Sequence, residues 1–147
     1  MKNRMMLSAA ALAAAVSFVP AALAQESNYT PGTVWQISAI DVKPGQFENY
    51  MDYLATTWKK MQDYAVKEGM AVSYHVYRVN NPRSGEPDLY LSIESRDYVS
   101  TAQREAFRKK LDSMMNSDTR KMDKAFGDRE VMRAAAGSME MQELILK

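Results

Sequence analysis

The sequence predicts an α+β fold whose elements run β-α-β-β-α-β, on three observations. The alternating apolar stretch "TVWQISAIDV" gives way at Lys43-Pro44-Gly45 to a helical i, i+3, i+4, i+7 pattern that continues to Ala65. Two strand-like runs, "MAVSYHVYRV" and "DLYLSIES", flank a loop of turn formers, "NNPRSGEP". A second helical stretch follows, and a final alternating segment, "SMEMQELILK", ends the sequence.

The first 24 residues stand apart from this pattern. Lys2 and Arg4 precede an alanine-rich apolar run from Leu7 to Val19. That run is too short to span a bilayer as a helix. "ALAQ" then offers small residues before a cut between Ala24 and Gln25. Residues 1–24 are therefore expected to be a cleaved signal peptide, leaving a periplasmic or secreted chain with no membrane association. Gln25–Gly32 is polar and reads as a flexible leader, and residues 33–147 suit one domain.

Removing Lys2 and Arg4 from the 19 basic side chains leaves 17, one fewer than the 18 acidic ones. A nearly neutral chain offers no long-range attraction for nucleic acid or an anionic membrane surface. There is no cysteine, so neither disulfides nor thiolate chemistry are available.

Within the domain, the first strand places Val34, Ile40 and Val42 on one parity with Gln36 and Ser38, and Trp35, Ile37 and Ala39 on the other. Two apolar faces predict cover on both sides. The first helix carries Phe47, Tyr50, Met51, Leu54, Trp58, Met61 and Ala65 on one stripe, with Gly69 placed as its C-terminal cap. In the second strand Val72, Tyr74, Val76 and Arg78 alternate with Ser73, His75 and Tyr77; in the third, Leu89, Leu91 and Ile93 share a face. The second helix begins between Ser95 and Ser100 and carries Val99, Ala102, Ala106, Phe107, Leu111 and Met114, with Lys110 interrupting that stripe. Residues 117–136 are expected to be helical in pieces around Met122–Phe126 and Val131–Ala135, ended by Gly137, with their charges to Arg133 solvated.

Four antiparallel strands with helices on one face make a ferredoxin-like layer. Such a layer leaves its other face bare, and here that face is apolar. Burying it is worth about 25 cal/mol per Å², and the simplest closed solution is a two-fold homodimer.

The run "VKPGQF", a long amphipathic helix, Gly69, "SYHVYR", a proline-containing loop and "LYLSIES" leading into a helix together resemble the dimeric α+β barrel superfamily. The similarity is to its antibiotic-biosynthesis-monooxygenase-like and NIPSNAP-like branches, over roughly residues 33–115 and the last strand. The resemblance implies two sheets pairing into a barrel, with a pocket between each sheet and its helices. The sequence departs from the oxygenase pattern at Ile93, where such members often carry tryptophan, and in "STAQREAFRKKL", which lacks their helical histidine.

His75 is the one histidine, which rules out a polyhistidine metal site and leaves a single candidate for proton transfer. It lies on a strand, whereas the resemblance implies that haem-degrading relatives place their ligand on a helix. The aromatic residues form the larger group. A pocket lined by Ser38, Tyr53, Trp58, Tyr77 and Tyr90 suits a small apolar or aromatic ligand; the competing reading is that these rings are ordinary core. Of the 12 methionines, Met1, Met5 and Met6 fall in the expected signal peptide and the others sit at strand or helix spacing, as gap fillers do. No phosphate-cradling glycine loop, nucleophile elbow or calcium loop occurs. No metal and no cofactor is expected. These observations lead to an exported homodimer that binds a small molecule. The alternatives are a cofactor-independent monooxygenase or isomerase and a non-catalytic structural or interaction protein.

Overall fold

The computed structural model describes residues 27–147. The expected signal peptide, and the cut after Ala24, lie outside the described residues. One four-stranded antiparallel sheet organises the chain: β1 (Tyr29–Val42), β2 (Ser73–Arg78), β3 (Leu89–Ser95) and β4 (Arg133–Leu146), in the order β2-β3-β1-β4. With helices between β1 and β2 and between β3 and β4, this is the ferredoxin-like arrangement.

The turn after β1 is closed by a hydrogen bond from Gln46 N to Lys43 O at 3.0 Å. It launches α1 (Phe47–Tyr53), one wide π turn (Leu54–Trp58) and α2 (Lys59–Lys67). Leu54 and Trp58, at the two ends of the π turn, are both buried. With Tyr50, Ile40, Leu89 and Leu91 they form the core cluster. Gly69 stops the helix at φ +73°, a conformation that penalises any residue with a Cβ.

The other helices attach differently from the expectation. α3 (Thr101–Met114) starts with a capping box in which Ser100 accepts from Gln103 N and the Gln103 side chain accepts from Ser100 N. Yet α3 buries no residue, and Ala102 and Ala106 are exposed. It leans on α2 through Phe107, stacked on Tyr64 at 5.9 Å, and through Lys110, bonded to Glu68 at 2.6 Å. α4 (Thr119–Asp128), capped by Asp118, leads into a short 3-10 turn at Arg129–Val131.

Both ends of the outer ribbon correct the sequence reading. β1 begins at Tyr29, so Tyr29–Gly32 is not loose leader: Tyr29, Thr30 and Pro31 pair with Leu146, Ile145 and Leu144. β4 begins at Arg133, so Ala134 and Ala135 are strand rather than helix, and Gly137 lies inside the strand instead of ending a helix. The ladder slips by one residue there. Gly137 pairs with Ala39, whereas Ala135 pairs with Ile40, so that Ala136 is an extra residue. Gly137 takes φ +139° at this bulge.

The helices cover the face that carries Val34, Ser38, Ile40, Tyr74, Leu89 and Leu91. The opposite face brings together Trp35, Ile37, His75, Tyr77, Tyr90, Ser92, Met139 and Met141, which the register places opposite one another. Trp35 stacks on His75 at 6.4 Å, and His75 lies 5.7 Å from Tyr77. Beyond the end of β3, β1 and β4 continue as a two-stranded ribbon with Tyr29, Leu144, Ile145 and Leu146 exposed.

Candidate functional site

A cavity of about 390 Å³ lies between the helix-facing side of β1, the first helix and the segment that leads into β4. Ser38 and Ile40 contribute from β1, Tyr50, Tyr53 and Trp58 from the helix, and Leu91 from β3. Phe126, Arg129 and Arg133 close it from the other side, with Ala135, Gly137 and Ser138 along β4.

The helix period and the π turn set the aromatic wall. Tyr50 and Tyr53 stack at 5.8 Å with an interplanar angle of 17°, and Trp58 follows at the far end of the π turn. Two guanidinium groups rest on these rings. Arg129 lies 4.7 Å over Tyr53 and 5.5 Å from Phe126, and Arg133 lies 4.4 Å over Phe126. Arg133 is only 4% exposed, and its Nε has no hydrogen-bond partner. Burial pushes the Tyr50 hydroxyl above the ordinary tyrosine range, against the opposing pull of Arg133. Burial likewise raises Tyr53, opposed first by Arg129 and then by Arg133.

Of the residues singled out in sequence, Ser38, Tyr53 and Trp58 line this cavity. Tyr77 and Tyr90 do not: they pair with each other on the opposite face of the sheet. Strand parity is the reason. Tyr74 faces the helices and touches Trp58 edge-on, so Tyr77, three residues along, faces away. His75 shares that outer face, is exposed, and does not line the cavity. Arg133, expected to be solvated, is buried because the bulge turns it inward, opposite Val42. Arg129 and Phe126 were also missed. The available signal was "FGDREVMRAAAG", an aromatic and two arginines beside an otherwise apolar strand start.

Among the described residues no group of three or more His, Cys, Asp or Glu side chains is placed to hold a metal ion, and no helix is long and apolar enough to cross a membrane.

No protein-family model matches the chain, and no curated protein matches it in sequence. Two solved structures are similar. HapK from Hahella chejuensis is 12% identical with a TM-score of 0.46, over 75% of this chain and 91% of that one. A dimeric ferredoxin-like protein from an uncultured marine organism is 17% identical with a TM-score of 0.42, over 80% of this chain and 98% of that one. The ferredoxin-like assignment stands on this chain's own strand order and register.

Proposed function

We propose that the protein binds a small apolar or aromatic molecule in the cavity lined by Ser38, Tyr53 and Trp58, and that it does so as an exported homodimer. The observation that carries the reading is the convergence of four aromatic rings, Tyr50, Tyr53, Trp58 and Phe126, on one space of about 390 Å³. That volume lies at the small end of ligand pockets and suits a body of one or two rings.

Binding is favoured over acid–base turnover by the chemistry of the wall. Its titratable groups are two tyrosines held protonated and two arginines. At neutral pH these donate hydrogen bonds but take no proton, and His75 is on the other face of the sheet. A monooxygenase or isomerase at this site would need its substrate to lose a proton without help from the wall.

Two features support a second copy on the outer face. Tyr77, Met139 and Met141 are exposed there beside Trp35 and Ile37. The β1–β4 ribbon also extends alone with Leu144, Ile145 and Leu146 exposed, although a two-stranded ribbon is marginal without cover.

The test is native mass spectrometry of the protein purified from the periplasm of an expressing bacterium, with release and identification of small molecules. A dimer that starts at Gln25 and carries a reproducible extra mass is expected. A stable monomer would overturn the assembly, and an uncleaved cytoplasmic chain would overturn export. A ligand whose binding is unaffected by Tyr53→Leu would overturn the site.

A further inference from the structure

We propose that the ligand is an anion: a flat apolar or aromatic body bearing a carboxylate or similar oxyanion, seated on Arg133 with Arg129 closing over it. This rests on the cavity reading above and deepens it.

The argument begins with the charge on Arg133. Its side chain is almost wholly buried and its Nε is without a partner, and its hydrogen bond to the Tyr50 side chain brings no opposite charge. The ion pairs among the described residues are Lys59–Asp63, Arg83–Glu86, Lys110–Glu68, Lys121–Asp118 and Lys124–Asp128; neither Arg129 nor Arg133 takes part. No carboxylate lines the cavity. A buried cation without a counter-ion is costly, and one ring face offsets only part of that cost. A second guanidinium beside the same Phe126 ring adds like charge to the same space.

An anion entering the cavity supplies the counter-charge that the two guanidinium groups lack. The guanidinium fork matches a carboxylate in plane and spacing. Ser38 and Ser138, paired across β1 and β4, bring two hydroxyls to the same wall. Trp58 and Tyr53 provide flat apolar surface for the body. A neutral ligand of the same shape would leave Arg133 without a counter-charge.

The experiment compares 2-naphthoate with the isosteric neutral 2-naphthamide by calorimetric titration of the full protein at pH 7. Naphthoate should bind about tenfold tighter or more, as expected of a charge-assisted contact in a buried site. Arg133→Met should erase that preference, bringing naphthoate to the affinity that naphthamide shows for the same variant, because methionine keeps an apolar stem without the charge. Its melting curve reports whether it folds. Arg129→Gln, on a partly buried residue, gives an independent reading and should reduce the preference without erasing it. Equal binding of both probes to the unaltered protein overturns the anion and leaves the cavity standing. Binding of neither probe overturns the cavity and, with it, the anion.

Discussion

Trp58 meets Tyr74 edge-on, with ring centroids 5.3 Å apart and an interplanar angle of 85°, while the Tyr74 hydroxyl donates to Asp63. This contact ties the π turn to β2 and joins the helix layer to the half of the sheet away from the cavity. Trp58→Ala should destabilise the protein by about 3–5 kcal/mol, the usual cost of emptying a large aromatic core site. Urea unfolding measures it. A loss under about 1 kcal/mol, the range of surface substitutions, would mean that the ring is not core.

The outer face gives a second prediction. Met141→Glu changes a residue that is 45% exposed in the single chain, so the subunit fold should survive. Sedimentation of the unaltered protein is expected to show the proposed dimer and that of the variant monomer, because a charge would be buried without a partner. A dimer that tolerates this change, and tolerates Tyr77→Glu as well, would place the contact elsewhere.

Alkaline pH provides a third. Tyr50 and Tyr53 titrate higher folded than unfolded, first because of burial. The stability linked to this is fully present below the ordinary tyrosine value of 10.0 and is lost as pH rises from there through the folded values. Each group contributes a slope of about 1.4 kcal/mol per pH unit within that window. Unfolding midpoints measured from pH 9 upward should fall more steeply for the unaltered protein than for Tyr53→Phe. Parallel slopes would show that Tyr53 titrates as if unfolded.

The capping box tests the looseness of α3. Ser100→Ala should cost about 1 kcal/mol of helix stability. Because α3 buries no residue, the loss should appear as faster amide exchange within Thr101–Met114 and only weakly in the global unfolding midpoint. Unchanged exchange would mean that Tyr64–Phe107 and Lys110–Glu68 hold the helix without its cap.

A fifth prediction concerns Gly137. Its φ of +139° is a backbone conformation that side chains resist, although a Cβ there would meet no neighbour within 4 Å. Gly137→Ala should therefore cost about 1–3 kcal/mol through the backbone alone. Thermal unfolding checks it. A neutral result would mean that the bulge relaxes.

The inner half of this fold was open to sequence reading because its signals are local and periodic. The stripe from Phe47 to Ala65 predicted the faces of Tyr50, Leu54 and Trp58 even across the π turn, since both ends of that turn still point inward. Ser38, Tyr53 and Trp58 follow from the same periods. Tyr77 and Tyr90 were misplaced for want of applying strand parity to residues already assigned to strands: Tyr74 and Tyr77 cannot share a face. The start of β1 was hidden because Pro31 and Gly32 read as turn residues, and only pairing with a distant segment, Leu144–Leu146, makes them strand. Arg133 was hidden because Val131–Ala135 read as a charged helical piece; even as strand, counting alternate residues back from Met139 sends it outward, and one unpaired residue at Ala136 reverses the count.

That single extra residue links the edge of the sheet to the chemistry of its interior. Threaded straight, the last strand would point Ala134 and Ala136 at the helices and give Arg133 to solvent, leaving Arg129 as the cavity's one lining cation and Gly137 free of its bulge. The bulged threading puts Arg133 inside. An anion held by Arg133 thus adds its binding free energy to one threading and not to the other. The ligand would act as a clamp on strand register, and its departure would be felt as loosening along the β1–β4 seam out to Leu146.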